Sequence, residues 1–507
     1  MGTKKAAQGI QHVFVLMLEN RSFDHMLGFS GITGTDAVSG QPTSIGGLQG
    51  TESNTFNGSN YPVTQPAGYT MPVDPGHEFQ DVLHQLCGPG AAYPSGGAYP
   101  AIANSGYVAG YVASGGSDPA EIMKCYSPGQ LPVLNALARE FAVCDNWYGS
   151  MPGPTWPNRF FVHGASSGGL DHSPTTAEIV LWETVFGFSF QNGTIFDALS
   201  KKKVAWRLYA GDEFPAVVAL RGIHLSDIRP YAQFIQDVTQ AGYPAGYTFI
   251  EPSYNALADY RCSTSQHPLD DVTRGEALIK CTYEAIRNSP IWGSSLLILT
   301  WDEHGGFFDH AIPPAVVAPG DTAPNSAHNQ YGFTFQVLGP RVPAVVISPR
   351  IPRNVIDHRV YDHASIPATL EAIFGLKAMT QRDGAANKVT ALLSLSSPRS
   401  DAPTTLPAPA DSGVGGCPPF VCSGPGLMAM AMAAEPPAAT RPQDTVNDGN
   451  LPGIIQAALR SDLELSPRDQ RDQIIARVSA IKTRAQAKEY VEQVRRKVRG
   501  AKGHLPG

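Results

Sequence analysis

The chain has 507 residues, a formal net charge of −7 and only 16% charged residues. That balance excludes a general nucleic-acid binder, whose phosphate contacts demand clustered Lys and Arg. With 51 Gly and 43 Pro, the composition points to a globular, enzyme-like body with long ordered loops, either as two to four domains or as one large α/β domain with an appendage.

The first ten residues include two lysines but no apolar run, so the chain as written reads as cytoplasmic. Removal of a leader, export by another route and peripheral attachment to a membrane stay open. No apolar stretch is long enough for a transmembrane helix. The seven cysteines are scattered, without CxxC or Cys/His zinc spacing, and their odd number leaves at least one thiol free or intermolecular.

His12 to Leu18, apolar but for the first residue, fits a strand buried on both faces of a parallel sheet. It ends in Glu19 and Asn20, at the carboxyl end of a strand, where open α/β sheets bind ligands. The stretch from Ser39 to Tyr107 reads as loop, with His77 near the start of a short helix from Glu78 to Leu86. A helix over Leu131 to Glu140 leads to a strand at Phe141 to Cys144. Three prolines and a glycine then hold Thr155 in a turn ahead of a helix from Asn158 to Gly164. There a hydroxyl is placed as a nucleophile is, or as an ordinary turn residue. Gly164 to Gly168 fits GxSxG around Ser166, but Gly169, Asp171 and Pro174 follow where that motif needs a helix, and the match is chance.

Strands at Val204 to Trp206, Tyr247 to Ile250 and Ala344 to Ile347 alternate with helices at Thr194 to Ser200, Ile228 to Gln240, Asp271 to Asn288 and Asp362 to Phe374. The alternation is that of a doubly wound α/β sheet. His267 lies just ahead of the Asp271 to Asn288 helix. A second apolar strand, Leu296 to Thr300, ends in Asp302, Glu303 and His304. Acids after a strand also serve as helix caps, but two such strands at one crest point to a divalent cation between them.

Three regions follow: a catalytic body over 1–394, a Pro/Ala/Gly-rich linker over 395–453 containing the Met-rich stretch 427–432, and a helical extension over 454–507. In the extension, Ser466 and Pro467 open one helix reaching about Val498, with Ile474, Val478, Ile481 and Ala485 on one side. Arg495, Arg496, Lys497 and Arg499 complement its dipole, an anionic membrane surface being the sharper alternative.

The strings ENRSFDH at 19–25, DPGH at 74–77, TWPNR at 155–159, His267-Pro268 and DEHGGFFDH at 302–310 resemble the motifs of the bacterial and plant phosphoesterases that include non-specific phospholipases C and an acid phosphatase branch. The resemblance covers roughly residues 10 to 380. It implies a three-layer α/β/α sandwich with a mostly parallel central sheet, akin to the alkaline phosphatase superfamily, and one divalent cation: calcium, zinc, magnesium or manganese. It implies Glu19, Asn20, Thr155, Asp302 and Glu303 as metal ligands and Thr155 as nucleophile. His77 and His267 would contact the phosphoryl group or leaving oxygen, and His304 is counted with the catalytic residues. His163, His310 and His363 are structural partners. A histidine of the acid phosphatase branch has no counterpart in the Tyr209 to Asp212 region, and that role is not carried over. The threonine at 155 favours a phospholipase C acting on glycerophospholipids such as phosphatidylcholine at a membrane or micelle surface, with a phosphomonoesterase as the alternative.

Overall fold

His12–Leu18 (β1) is buried along its whole length, and each large apolar side chain so placed contributes about 1.5–3 kcal/mol. Such a strand needs a neighbour on each edge and a layer on each face. The computed structural model describes residues 9–184, 187–240, 242–321, 326–418, 420, 422, 445–446 and 451–502. Its main sheet contains β1, Thr33–Asp36 (β2), Pro42–Ser44 (β3), Ala142–Cys144 (β4), Trp206–Ala210 (β5), Ile228–Pro230 (β6), Tyr247–Glu251 (β7), Ser295–Trp301 (β8), Ala344–Ile347 (β9) and Val355–Asp357 (β10). The spatial order is β3-β2-β10-β4-β9-β8-β1-β7-β5-β6. The central strands β8, β1, β7 and β5 are parallel, and the class is the expected α/β, with a mostly parallel sheet.

Two strands depart from the doubly wound expectation: edge strand β3 runs antiparallel to β2, and a second lies inside the sheet. β9 runs antiparallel to both β8 and β4. A parallel return needs a crossover, usually a helix, and the 302–343 connection carries only the short turn Ser326–His328 among its described residues.

The helices that matter below are Phe79–Cys87 (α1), Thr155–Gly164 (α2), Thr176–Thr184 (α3), Val272–Arg287 (α4), Leu451–Glu464 (α5), Arg471–Ser479 (α6) and Arg484–Lys502 (α7). Four sequence expectations need correction. The expected loop from Ser39 to Tyr107 contains β3 and a hairpin, Ser53–Phe56 with Ser59–Pro62. Its turn is Asn57-Gly58, both at positive φ, a strong hairpin signal. The strand expected at Val204 begins at Trp206 instead, because the Val204 N–H still closes the preceding helix on Leu199 O at 3.0 Å. The helix expected from Ile228 splits at Pro230 into β6 and a helix over Tyr231–Val238.

The fourth correction concerns the C-terminal extension. Its expected single helix is broken between α6 and α7, where Gln486 Oε1 accepts from the Lys482 and Thr483 N–H groups at 2.8 and 3.2 Å and starts a new helix. Ala485 is exposed; the buried side of α7 is Ala487, Tyr490, Val491, Val494 and Val498. Arg495 and Arg499 pair with Glu213, and Lys497 with Asp462, so these bases are held by carboxylates rather than by the helix dipole alone. α5 packs on α3, α6 and α7. The Met-rich stretch 427–432 lies outside the described residues.

The Pro-rich stretch after residue 395 lies against α4: Arg287 donates to Ala402 O and Tyr283 to Pro403 O. Disulfides Cys262–Cys417 and Cys281–Cys422 fasten it, leaving Cys87, Cys125 and Cys144 as thiols. Thiol titration of the denatured protein is expected to count these three before reduction and all seven cysteines of the sequence after it; seven before reduction would contradict the pairing.

Candidate active site

β1 and β8 pair in register, Leu18 against Trp301, so the residues that follow leave the sheet side by side. Asn20 turns the chain at φ 57°, a left-handed conformation that Asn tolerates better than most residues. Its N–H donates to Asp302 Oδ1 at 2.9 Å, and the Glu303 N–H donates to the same oxygen at 2.7 Å. Gly305, at φ 65°, lies so close that a Cβ there would sit 2.2 Å from Asn20 O. Its N–H holds Glu303 Oε2 at 2.7 Å.

Thr155 is the first residue of α2, not part of a turn ahead of it. Asn158 fixes that turn by donating from Nδ2 to Met151 O, Gly153 O and Pro154 O. Of the amides after Thr155, Trp156 and Asn158 carry an N–H and Pro157 does not. The Thr155 hydroxyl donates to Asn20 Oδ1 at 3.2 Å. His77 Nε2 approaches Asn20 Nδ2 at 3.4 Å, while its Nδ1 bonds Pro75 O at 2.8 Å. Burial disfavours the His77 cation, but Glu303, Asp74 and Glu78 outweigh it and raise the pKa to about 10.

The other two histidines stand further out. His267 stacks flat on Tyr260, ring centroids 3.3 Å apart, with Nε2 3.3 Å from Asp74 Oδ2. Burial lowers its pKa against the pull of Asp74. His304 is held between Gln85 Oε1, 2.8 Å from Nε2, and Glu303 Oε2, 3.2 Å from Nδ1. His163 packs against Phe196 and Phe249, His310 bonds Asp24, and His363 donates to Asp302 O.

Burial, with Asp302 next, raises the Glu19 pKa well above the usual carboxylate range. Burial also raises that of Asp302, in spite of Arg159. Arg159 Nε donates to Asp302 Oδ2 at 2.9 Å, Nη2 donates to Leu18 O at 2.9 Å, and Nη1 has no hydrogen-bond partner. Glu303 Oε1 is likewise buried without one. Several carboxylates share one buried guanidinium and the His77 cation, and buried charged groups need compensation. The donor set, all oxygen, fits a hard divalent cation. Among the described residues, the acid and histidine group whose ligand atoms all lie within 4.8 Å of one another is Asp24, Asp309 and His310, not Glu19, Asp302 and Glu303. Arg341 bonds both carboxylates of that group at 2.9 Å and supplies its counter-charge.

The site is closed over. Thr155 is 2% exposed, and Asn20, Asp302 and His267 are 0% exposed. A cleft beside Thr155 is lined by Glu19, Arg159, Tyr254 and, from the C-terminal α5, Ile454. The Gly453 backbone lies on the Trp156 indole, where a Cβ would come within 1.8 Å of Cζ2.

A family model described as the phosphoesterase family matches residues 10–377. The chain belongs to that family. Non-specific phospholipase C6 of Arabidopsis thaliana is 35% identical over 427 residues, 80% of this phosphoesterase and 76% of the plant protein. Phospholipase C B of Mycobacterium tuberculosis is 27% identical over 447 residues, 79% of this chain and 80% of its own. Among solved structures, a protein of the alkaline phosphatase superfamily from Vibrio parahaemolyticus aligns with 50% of this chain and 62% of its own, at 14% identity and a TM-score of 0.32.

Sequence reasoning left several residues of this phosphoesterase site without a role. Arg159 was legible, being four residues after Thr155 and therefore on the same helix face. Asp74 and Tyr260, which bracket His267, carry no spacing signal. Replacing Gly305 with Ala is expected to push Asn20 away from Asp302 and to lower turnover at least tenfold, a loss of about 1.4 kcal/mol of transition-state stabilisation. Wild-type turnover in Gly305→Ala would show that the close approach is not needed.

Proposed function

We propose that this phosphoesterase is a phospholipase C that cleaves glycerophospholipids such as phosphatidylcholine to diacylglycerol and a phosphorylated head group, with Thr155 as nucleophile. The observation that carries this reading is the Thr155 hydroxyl bonded to Asn20 Oδ1, beside Asp302 at the crest of two paired strands. The names of the plant and mycobacterial relatives support the substrate class. Glu19, Asn20, Thr155, Asp302 and Glu303 would hold a divalent cation, and their oxygen donors favour calcium, magnesium or manganese. When bound, such an ion supplies Lewis acidity to the nucleophilic hydroxyl and the phosphoryl oxygens.

The residues divide the work by position. The Thr155 Oγ attacks phosphorus as its proton leaves to solvent, and the bond from phosphorus to the glycerol oxygen breaks. Thr155 regains a proton from solvent when the phosphothreonine is hydrolysed. The amides of Trp156 and Asn158, at the start of α2, face the transferred phosphoryl group with the positive end of the helix. His77, next to the amide that orients Thr155, gives the proton to the departing diacylglycerol oxygen. His267, its ring fixed between Asp74 and Tyr260, takes the proton of the water that hydrolyses the phosphothreonine and frees the phosphorylated head group. His304 is a positioning residue acting through Glu303.

The two disulfides favour work in an oxidising compartment, in place of the cytoplasmic reading of the N-terminus. Thr155→Ala is expected to lower phosphocholine release from phosphatidylcholine vesicles by about a thousandfold or more, with the melting temperature retained. Release at the wild-type rate would eliminate the threonine mechanism. A parallel assay on a soluble phosphate monoester separates the phospholipase from the phosphomonoesterase, which would prefer the monoester.

A further inference from the structure

The C-terminal helices lie beyond the residues matched by the family model, 10–377, yet one of them walls the cleft. They also differ from the body in charge. Residues 466–501 hold ten Lys/Arg against four Asp/Glu, in a chain whose formal net charge is −7. Helix dipoles account for the bases toward the C-terminal end of α7 but not for the others. Arg471 and Arg484 are the first residues of α6 and α7, and Arg468 and Lys482 precede those helices. Cations at a helix N-terminus oppose the macrodipole. Ion pairing accounts for part of it: Arg484 pairs with Asp259, Arg495 and Arg499 with Glu213, and Lys497 with Asp462. Arg468, Lys482 and Arg496 are exposed and form no ion pair among the described residues. The apolar side of α7 is already buried, so what this layer offers outward is charge.

Beneath the layer lies α5, packed on α6 and α7 and carrying Gly453 and Ile454 onto Trp156 and the cleft. With Thr155 2% exposed and Asn20 and Asp302 fully buried, no diacyl lipid reaches the hydroxyl unless part of this wall moves. We propose that α6 and α7 form the surface through which the protein docks on anionic lipid, and that docking draws α5 away from the cleft. The docking surface extends the phospholipase reading, on which the link to substrate access rests. Its ligand is the anionic head-group layer, distinct from the substrate bound at Thr155.

The test uses the full chain and vesicles of phosphatidylcholine, alone or mixed with phosphatidylglycerol. Wild-type protein should bind the mixed vesicles more tightly, and added salt should weaken that binding. The variant Arg468→Glu/Lys482→Glu/Arg496→Glu alters only exposed residues that form no ion pair among the described residues. Its binding to mixed vesicles should fall on the order of a hundredfold, from roughly fivefold per basic residue, while hydrolysis of a soluble phosphodiester stays at the wild-type rate. Equal binding by variant and wild type would overturn the docking surface. Hydrogen exchange on the wild type reads the coupling: amides of 451–464 should lose protection on mixed vesicles, and unchanged protection with vesicles bound would refute the movement. Docking without phosphocholine release would instead count against the phospholipase reading and leave the surface standing. Release with no preference for anionic vesicles would do the reverse.

Discussion

Two adjacent parallel strands, held in register from His12 against Ser295 to Leu18 against Trp301, set negative charge side by side in a buried place. Everything around the site answers that one constraint. The Asn20 and Glu303 amides converge on a single oxygen of Asp302, Arg159 takes the other, and Gly305 supplies the close approach that lets the two strand ends touch. Burial raises the Glu19 and Asp302 pKa values, with the neighbouring acids adding to it and the Arg159 guanidinium opposing it. Thr155 is brought to this field by α2 and bonds the amide between the acids and His77.

The same burial that strengthens electrostatics inside the site denies entry from outside. A low-dielectric cavity raises the worth of each charge, and the C-terminal α5 helps make it so by laying Gly453 and Ile454 over Trp156 and the cleft. The chain therefore separates two tasks. The sheet crest carries the site, while the helices after residue 450 cover it with Gly453 and Ile454 and carry exposed Arg468, Lys482 and Arg496. Disulfides at Cys262 and Cys281 anchor the connecting segment close to the His267 loop, where Asn255, Asp259, Tyr260, Cys262 and Gln266 all take positive φ.

Much of this was legible in the sequence because it depends on local pattern. The uninterrupted apolar runs at 12–18 and 296–300 gave central strands, and the residues just after them met as their strand-end positions imply. Periodic helices such as Val272–Arg287 were found within a residue or two of their ends. Features that depend on distant partners were not legible. The antiparallel entry of Ala344–Ile347 follows from a connection without a crossover helix. The break before Arg484 is set by one glutamine reaching back to two amides. Nothing in the cysteine spacing paired Cys262 with Cys417 across 155 residues. The Asp74 and Tyr260 bracket around His267 exists only once three loops are folded together.

We propose that a hard cation completes the set of oxygen donors at the crest. Calorimetric titration of the metal-stripped full chain with calcium or manganese, repeated in buffers of different ionisation enthalpy, tests it most directly. One ion should bind per chain, with protons released because Glu19 and Asp302 retain them more readily without it, and Asp302→Asn should lose that binding. Binding that is absent from the wild type, or unchanged in Asp302→Asn, would contradict it.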